Sequence, residues 1–284
     1  MKSVVVTGAS SGIGYAIAAD LLSKGYQVFG SVRSELDGQN CVSKLGSHFI
    51  PLIFDVTDEA AVRREAQRVR DAISPQRLSG LVNNAGIAVP GPMVHLPINE
   101  FRRQLEVNVT GQLIVTQAFA PLLGMDKTLQ GAPGKIINIS SVAGKMTNPF
   151  TGAYSASKHA LEAISTSLRI ELLLYGIDVV VVGPGAVRTP IWEKADKVDL
   201  SAYATSDYGP FLDKVRKFML SRGANGLDPS DIATCVGKIL EGSAGRTRYS
   251  LVKNKFSNWT LPRLLPDRML DGIIAKRLGL KTEN

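Results

Sequence analysis

The chain has little of what metal, disulfide or membrane chemistry requires. Its two cysteines, Cys41 and Cys235, lie far apart and outside any C-x-x-C. That spacing excludes a disulfide framework and a redox pair, and it reads as two inert thiols in a reducing compartment. The three histidines, His48, His95 and His159, lack metal-ligand spacing, so no metal is expected. No apolar run approaches the ~20 residues of a membrane-spanning helix. The opening MKSVVVTGASSG turns polar and glycine-rich too early for a signal peptide, so a cytoplasmic location is expected, with peripheral membrane contact as an option.

Acidic residues are the minority charge, 25 against 33 Lys and Arg, for a net +8. Most of the surplus sits at the end of the chain, where nine Lys/Arg face three Asp/Glu from Arg246 onward. This basic extension, residues 253–284, mixes its charges with Phe256, Trp259 and leucines. The mixture suits either contact with an anionic membrane surface or a solvated cap over a substrate pocket. No nucleic-acid-binding motif accompanies the charge, and no nucleic-acid partner is expected.

Short β-branched runs alternate with helical spacing. VVVT (4–7), QVFGSV (27–32), FIPLIFDV (49–56), GLVNNA (80–85), KIINIS (135–140) and IDVVVV (177–182) are continuously apolar, as strands buried on both faces are. TRYSLV (247–252) predicts an added edge strand. Between them, DEAAVRREAQRVRDAI from Asp58 shows an apolar period of 3.6 behind Thr57 as N-cap. The series predicts an α/β fold, a Rossmann-type doubly wound parallel sheet of about seven strands with helices on both faces. The chain reads as one domain, with its ligand site at the carboxyl ends of the strands.

The first strand runs into Gly8-Ala9-Ser10-Ser11-Gly12-Ile13-Gly14. Gly8 to Gly12 match the G-x-S-x-G elbow of serine hydrolases, but the chain offers no later acid–histidine order and no oxyanion loop. A phosphate cradle fits better, with Gly8, Gly12 and Gly14 supplying sharp turns at a helix N-terminus and Ser10 and Ser11 adding hydroxyls. The spacing G-x-x-x-G-x-G departs from the usual dinucleotide fingerprint. Further along, Tyr154 and Lys158 stand four apart, on one face of a helix, where a cation favours the phenolate. Ser141 ends a strand at the carboxyl edge.

TGASSGIG, NNAG (83–86), NVTG (108–111), ISS ending at Ser141, YSASK (154–158) and PGAVRT (184–189) follow in that order. With these motifs the chain closely resembles the short-chain dehydrogenase/reductase family over residues 3–252. GRTRYS (245–250) and LPRLLPDRMLD (261–271) resemble its retinol dehydrogenase and 17β-hydroxysteroid dehydrogenase branch. The resemblance implies Tyr154 as general acid/base, Lys158 lowering its pKa and holding the nicotinamide ribose, Ser141 on the substrate oxygen, and Asn108 in a proton relay through water. It places Ile13 in the phosphate loop, Asp55 and Val56 by the adenine, and Asn83, Ala85 and Gly86 along the cofactor. Pro184, Gly185, Val187 and Thr189 fall by the nicotinamide. A homodimer or homotetramer packed through helices near 100–123 and 151–175 is also implied. The reading kept beside it is a catalytically weak NADP-binding sensor of the same fold.

At the end of the second strand, where NAD-dependent relatives carry an acid, stands Val32, followed by Arg33 and Ser34. These suit a ribose 2′-phosphate and so predict NADP(H), with Glu35 on the ribose as the alternative. Residues 190–226 form a long connection of the kind used as substrate lids, rich in Ile191, Trp192, Tyr203, Tyr208, Phe211, Phe218 and Met219. With Val142, Met146, Phe150 and Trp192 as pocket residues, the expected substrate is a bulky lipophilic ketone or secondary alcohol of steroid, retinoid or aryl type. Lys145 is the sole basic residue near Ser141 in sequence, which predicts little provision for a substrate carboxylate or phosphate.

Overall fold

The computed structural model describes residues 1–192, 201–242 and 245–280, leaving out the side chain of Ala202. Seven strands form one sheet: β1 (Ser3–Val6), β2 (Gln27–Val32), β3 (Phe49–Ile53), β4 (Gly80–Asn83), β5 (Lys135–Ile139), β6 (Asp178–Pro184) and β7 (Arg248–Leu251). Their order is β3-β2-β1-β4-β5-β6-β7, and every pairing is parallel. Successive side chains feed opposite layers. Val4, Val6, Val82 and Val180 pack with α1 (Gly12–Ser23), α2 (Glu35–Leu45) and α8 (Pro229–Glu241). Val5, Leu81 and Val179 pack with α3 (Glu59–Ile73) and α5 (Gly111–Ala120). Both faces are covered, so the strands have no polar alternation.

Several boundaries differ from the sequence reading, for local reasons. Phe54 and Val56 stay buried although β3 has ended, so the apolar run outlasts the strand. The N-cap of α3 is Asp58, which accepts from the Ala61 N–H, and not Thr57, whose hydroxyl donates to Asp55 Oδ1 at 2.8 Å. Asp228 caps α8 in a reciprocal box with Asp231.

The strand order reverses between β1 and β4, and the loops following these two strands are stitched together. Thr7 Oγ1 accepts from the N–H groups of Asn84 and Ala85 at 2.9 and 3.0 Å, while Asn84 Nδ2 donates to the Thr7 carbonyl at 2.8 Å. A buried polar chain crosses the sheet below them. Asn83 Nδ2 donates to Thr116 Oγ1 and to Asn138 Oδ1, and Asn138 Nδ2 donates to Ser165 Oγ of α6 (Gly152–Glu171). The chain from α4 (Ile98–Leu105) into α5 runs through one π-type turn, Glu106–Thr110, which carries Asn108.

Past β6 the chain makes an excursion with a fixed neck. Val187 and Leu227 pair as a parallel bridge, the Leu227 N–H reaches the Ala186 carbonyl at 2.8 Å, and Arg188 pairs with Asp228 at 2.6 Å. Of the expected lid, residues 193–200 lie outside the described residues. The rest includes α7 (Gly209–Ala224). The C-terminal extension folds back as α9 (Asp267–Leu278), and Val215 of α7, Leu278 and Phe150 share a small core. Among the described residues no helix is long and apolar enough to cross a membrane.

Replacing Asn138 by alanine removes two buried hydrogen bonds and leaves a small void. A loss of roughly 1–3 kcal/mol is expected from the urea midpoint, while a change below about 0.5 kcal/mol would assign the polar chain no structural weight.

Candidate active site

The glycine loop meets the requirements of an anion cradle. Gly8 and Gly12 have φ of +66° and +59°, which side chains rarely adopt, and a Cβ at Gly14 would collide with the Gly8 carbonyl. Ser11 caps α1 without a side-chain bond, no acidic residue occupies the first helical turn, and Ser10 and Ser11 are exposed. The N-terminal N–H groups of α1 and its dipole therefore face the loop free of protein competition. Thr189 packs over Gly12, 3.3 Å from where its Cβ would be. These residues fit the pyrophosphate of a dinucleotide.

Other expected cofactor residues divide by what their side chains already hold. Arg33 is exposed beyond β2. The Ser34 hydroxyl is engaged in capping α2, accepting from the Asp37 N–H and donating to its carboxylate at 2.8 Å. Asp55 is exposed just beyond β3, whereas Val56 is buried and packed toward Gly111. Asn83 spends its amide inside the sheet, and Gly86 is exposed beside Asn108. Pro184, Gly185 and Val187 line the same cleft as Ile13.

That cleft, of about 280 Å³, has Ser141 and Tyr154 in its wall. Ser141 is buried, and its Oγ accepts from the Ala143 N–H at 3.1 Å and donates to the Pro184 carbonyl at 3.4 Å. Lys158 is buried, with Nζ donating to the Ile139 carbonyl at 2.8 Å and lying 5.8 Å from the centre of the Tyr154 ring. Burial pushes the Tyr154 phenol above its ordinary value, against the opposing hydrogen bond from Ser141. Burial likewise lowers the Lys158 ammonium to about 8, with Glu162 working the other way. In the protein alone burial thus outweighs Ser141 at the phenol and Glu162 at the ammonium. Asn108 is fully committed: Oδ1 accepts from the Ile87 N–H at 2.8 Å, and Nδ2 donates to the Ile87 carbonyl and to Ser157 Oγ. Its side chain ties the β4 loop to α6, and the π-type turn is the irregularity that carries it.

Of the expected pocket residues, Val142 and Trp192 line the cleft, and Trp192 Nε1 donates to the Val187 carbonyl at 2.7 Å. Phe150 does not; its φ of +64° turns it into the core shared by α7 and α9, edge-on to Tyr208. Met146 also lies outside the lining. The expected scarcity of basic groups is overturned, since Arg222 of α7 and Arg277 of α9 line the cleft.

Sequence reasoning also missed an ion pair behind Ser141. Arg248 Nε lies 3.0–3.1 Å from both oxygens of the buried Glu162 carboxylate, one helical turn past Lys158, and Nη2 donates to the Ser141 carbonyl at 3.1 Å. Lys145 approaches Glu162 at 3.6 Å, and the Trp259 ring has the guanidinium groups of Arg248 and Arg263 each 4.7 Å from its centre. The one signal in the sequence was a carboxylate at position 162, one helical turn past Lys158 on the buried face of α6.

Comparison with known proteins agrees with this geometry. Residues 2–199 match the family model described as short chain dehydrogenase. The chain belongs to the short-chain dehydrogenase family. It is 41% identical over 283 residues, all of this chain and 99% of the other, to an NADPH-dependent 3-dehydrocapnine reductase of Ornithobacterium rhinotracheale. It is 34% identical to human retinol dehydrogenase 5, over 96% of this chain and 87% of that one, which places it near the retinol dehydrogenase branch. A solved short-chain dehydrogenase from Streptomyces avermitilis superposes with a TM-score of 0.74 at 26% identity, covering 97% of this chain and 94% of the other.

The titrations set a pH signature. A raised phenol stays protonated through neutral pH and can donate its proton, whereas Lys158 loses its charge as pH rises through about 8. Carbonyl reduction should therefore have a flat kcat/KM below that pH and fall above it, while alcohol oxidation gains from higher pH until Lys158 discharges. Tyr154→Phe should cost about 10²–10⁴ in turnover and leave cofactor binding nearly intact. A reduction rate that climbs through pH 8, or a Phe variant with over a tenth of wild-type activity, would contradict the assignment.

Proposed function

We propose that the protein is an NADP(H)-dependent carbonyl reductase and alcohol dehydrogenase acting on bulky lipophilic ketones and secondary alcohols. The observation that carries this reading is the placing of Ser141 and Tyr154 together in the wall of an apolar cleft at the carboxyl edge of the sheet, with Lys158 buried one helical turn away. The cofactor, when bound, supplies or takes up the hydride. The Ser141 hydroxyl orients the carbonyl oxygen of the substrate, and the Tyr154 phenol delivers a proton to that oxygen as negative charge develops there. Lys158 stabilises the phenolate that remains. Glu162 and Arg248 hold the serine loop and the helix carrying Tyr154 in register.

NADP(H) is supported by Arg33 standing exposed just after Val32, which occupies the position where an NAD enzyme would carry an acid, and by the NADPH dependence named for the Ornithobacterium reductase. A guanidinium on the 2′-phosphate contributes roughly 1.5–3 kcal/mol. Arg33→Ala should weaken NADPH roughly 10- to 150-fold by fluorescence titration and leave NADH nearly unchanged. Equal losses for both would assign the ribose to another group, Glu35 first.

Lipophilic substrates are supported by Val142, Ile191, Trp192, Val215, Met219 and Ile274 in the cleft lining. Burying hydrocarbon there contributes about 25 cal/mol per Å². With NADPH in excess, kcat/KM should rise from acetone through acetophenone to long-chain or fused-ring ketones. A preference for acetone over every larger ketone would remove the substrate class while leaving the family intact.

A further inference from the structure

Most of the cleft wall is hydrocarbon, but two guanidinium groups stand in it. Arg222 comes from the last turn of α7 and Arg277 from the last turn of α9. Both lie against the same ring, with Arg277 4.5 Å and Arg222 5.6 Å from the centre of Phe218. Arg222 is half-buried and Arg277 exposed, so the pair marks the rim of the cleft rather than its floor. Neither makes an ion pair or hydrogen bond among the described residues. Arg222 is perturbed first by its burial and second by the like charge of Arg277, and no carboxylate among the described residues offsets them.

Two cations held close together over an aromatic ring, one of them partly dehydrated, repel each other unless an anion lies between them. Elsewhere in the protein arginines in comparable surroundings have found carboxylates, as Arg248 has Glu162 and Arg70 has Asp126. The placement of this pair is also specific. α7 and α9 meet through Phe150, Val215 and Leu278, and that packing brings together two arginines distant in sequence on the wall that also holds Tyr154. Arginine forks bind oxyanions in bidentate fashion, and a ring beneath them fixes their planes.

We infer that Arg222 and Arg277 form an anion subsite at the rim of the catalytic cleft, and that the natural ketone is an amphiphile whose carboxylate, phosphate or sulfonate head lies between the two guanidinium groups while its carbonyl reaches Ser141 and Tyr154. This rests on the proposed carbonyl reduction and narrows its substrate from a lipophilic ketone to a lipophilic ketone bearing an anion. The apolar stretch between rim and floor, from Met219 and Ile274 to Val142, accommodates the chain joining the two polar ends.

The test uses the full-length protein and a series of long-chain ketones in which the carbonyl is set at increasing distance from a terminal carboxylate. Each is paired with its neutral methyl ester, and phosphate and sulfonate heads are compared at the best spacing. At one or more spacings the anionic ketone should exceed its neutral partner at least 10-fold in kcat/KM, and the preferred head identifies the oxyanion. In Arg222→Gln/Arg277→Gln that ratio should fall to within about twofold of one, with NADPH affinity and thermal midpoint serving as checks on folding. Neutral partners turned over as well as every anion, or a preference that survives the double substitution, would overturn the subsite and leave the reductase standing. If no ketone is reduced, the reductase reading fails. Calorimetry with dodecyl sulfate analogues below their micellar concentration then decides the subsite alone, with binding lost in the double variant as the supporting result and binding absent or unaltered as the refuting one.

Discussion

The buried pair of Glu162 and Arg248 joins three parts of the molecule that the chain keeps far apart. Glu162 belongs to the helix that carries Tyr154 and Lys158, Arg248 begins the last strand, and the Nη2 of Arg248 reaches back to the carbonyl of Ser141. A carboxylate this enclosed is tolerated because both of its oxygens are met by one guanidinium, which also donates to Ser141 and Ser250. Removing one partner would strand the other. The spacing of Ser141 and Tyr154 is therefore set partly by the last strand of the sheet.

Much of the sheet was legible in the sequence because a strand buried on both faces has no choice but to be apolar throughout. KIINIS and IDVVVV give β5 and β6 almost to the residue. FIPLIFDV overruns, since Phe54 and Val56 remain in the core after β3 has stopped pairing. The helix start at Asp58 was misplaced by one because the Thr57 hydroxyl is drawn to Asp55, a competition between neighbouring side chains that spacing cannot express.

The site was legible where its geometry is local and illegible where it is not. A phenol and an ammonium one helical turn apart can be read from four letters. Their proton affinities cannot, because those depend on how much water the finished fold removes, and here burial raises one group and lowers the other. Arg222 and Arg277 escaped notice for the same reason. They are distant from Ser141 and from each other in sequence, and only the docking of α7 on α9 puts them in one wall. Phe150 has the opposite history, chosen for its nearness to Tyr154 in sequence and then turned away by a left-handed backbone.

The neck formed by Val187, Arg188, Leu227 and Asp228 closes the excursion on itself at the edge of the sheet. Once two points of a chain are fixed together, lengthening the loop between them costs little, roughly 0.6 kcal/mol for each doubling. The excursion is thereby separated mechanically from the sheet and from the helix that carries Tyr154 and Lys158. Descendants of this scaffold can trade one hood for another, longer or shorter, greasy or charged, without disturbing the residues beneath it.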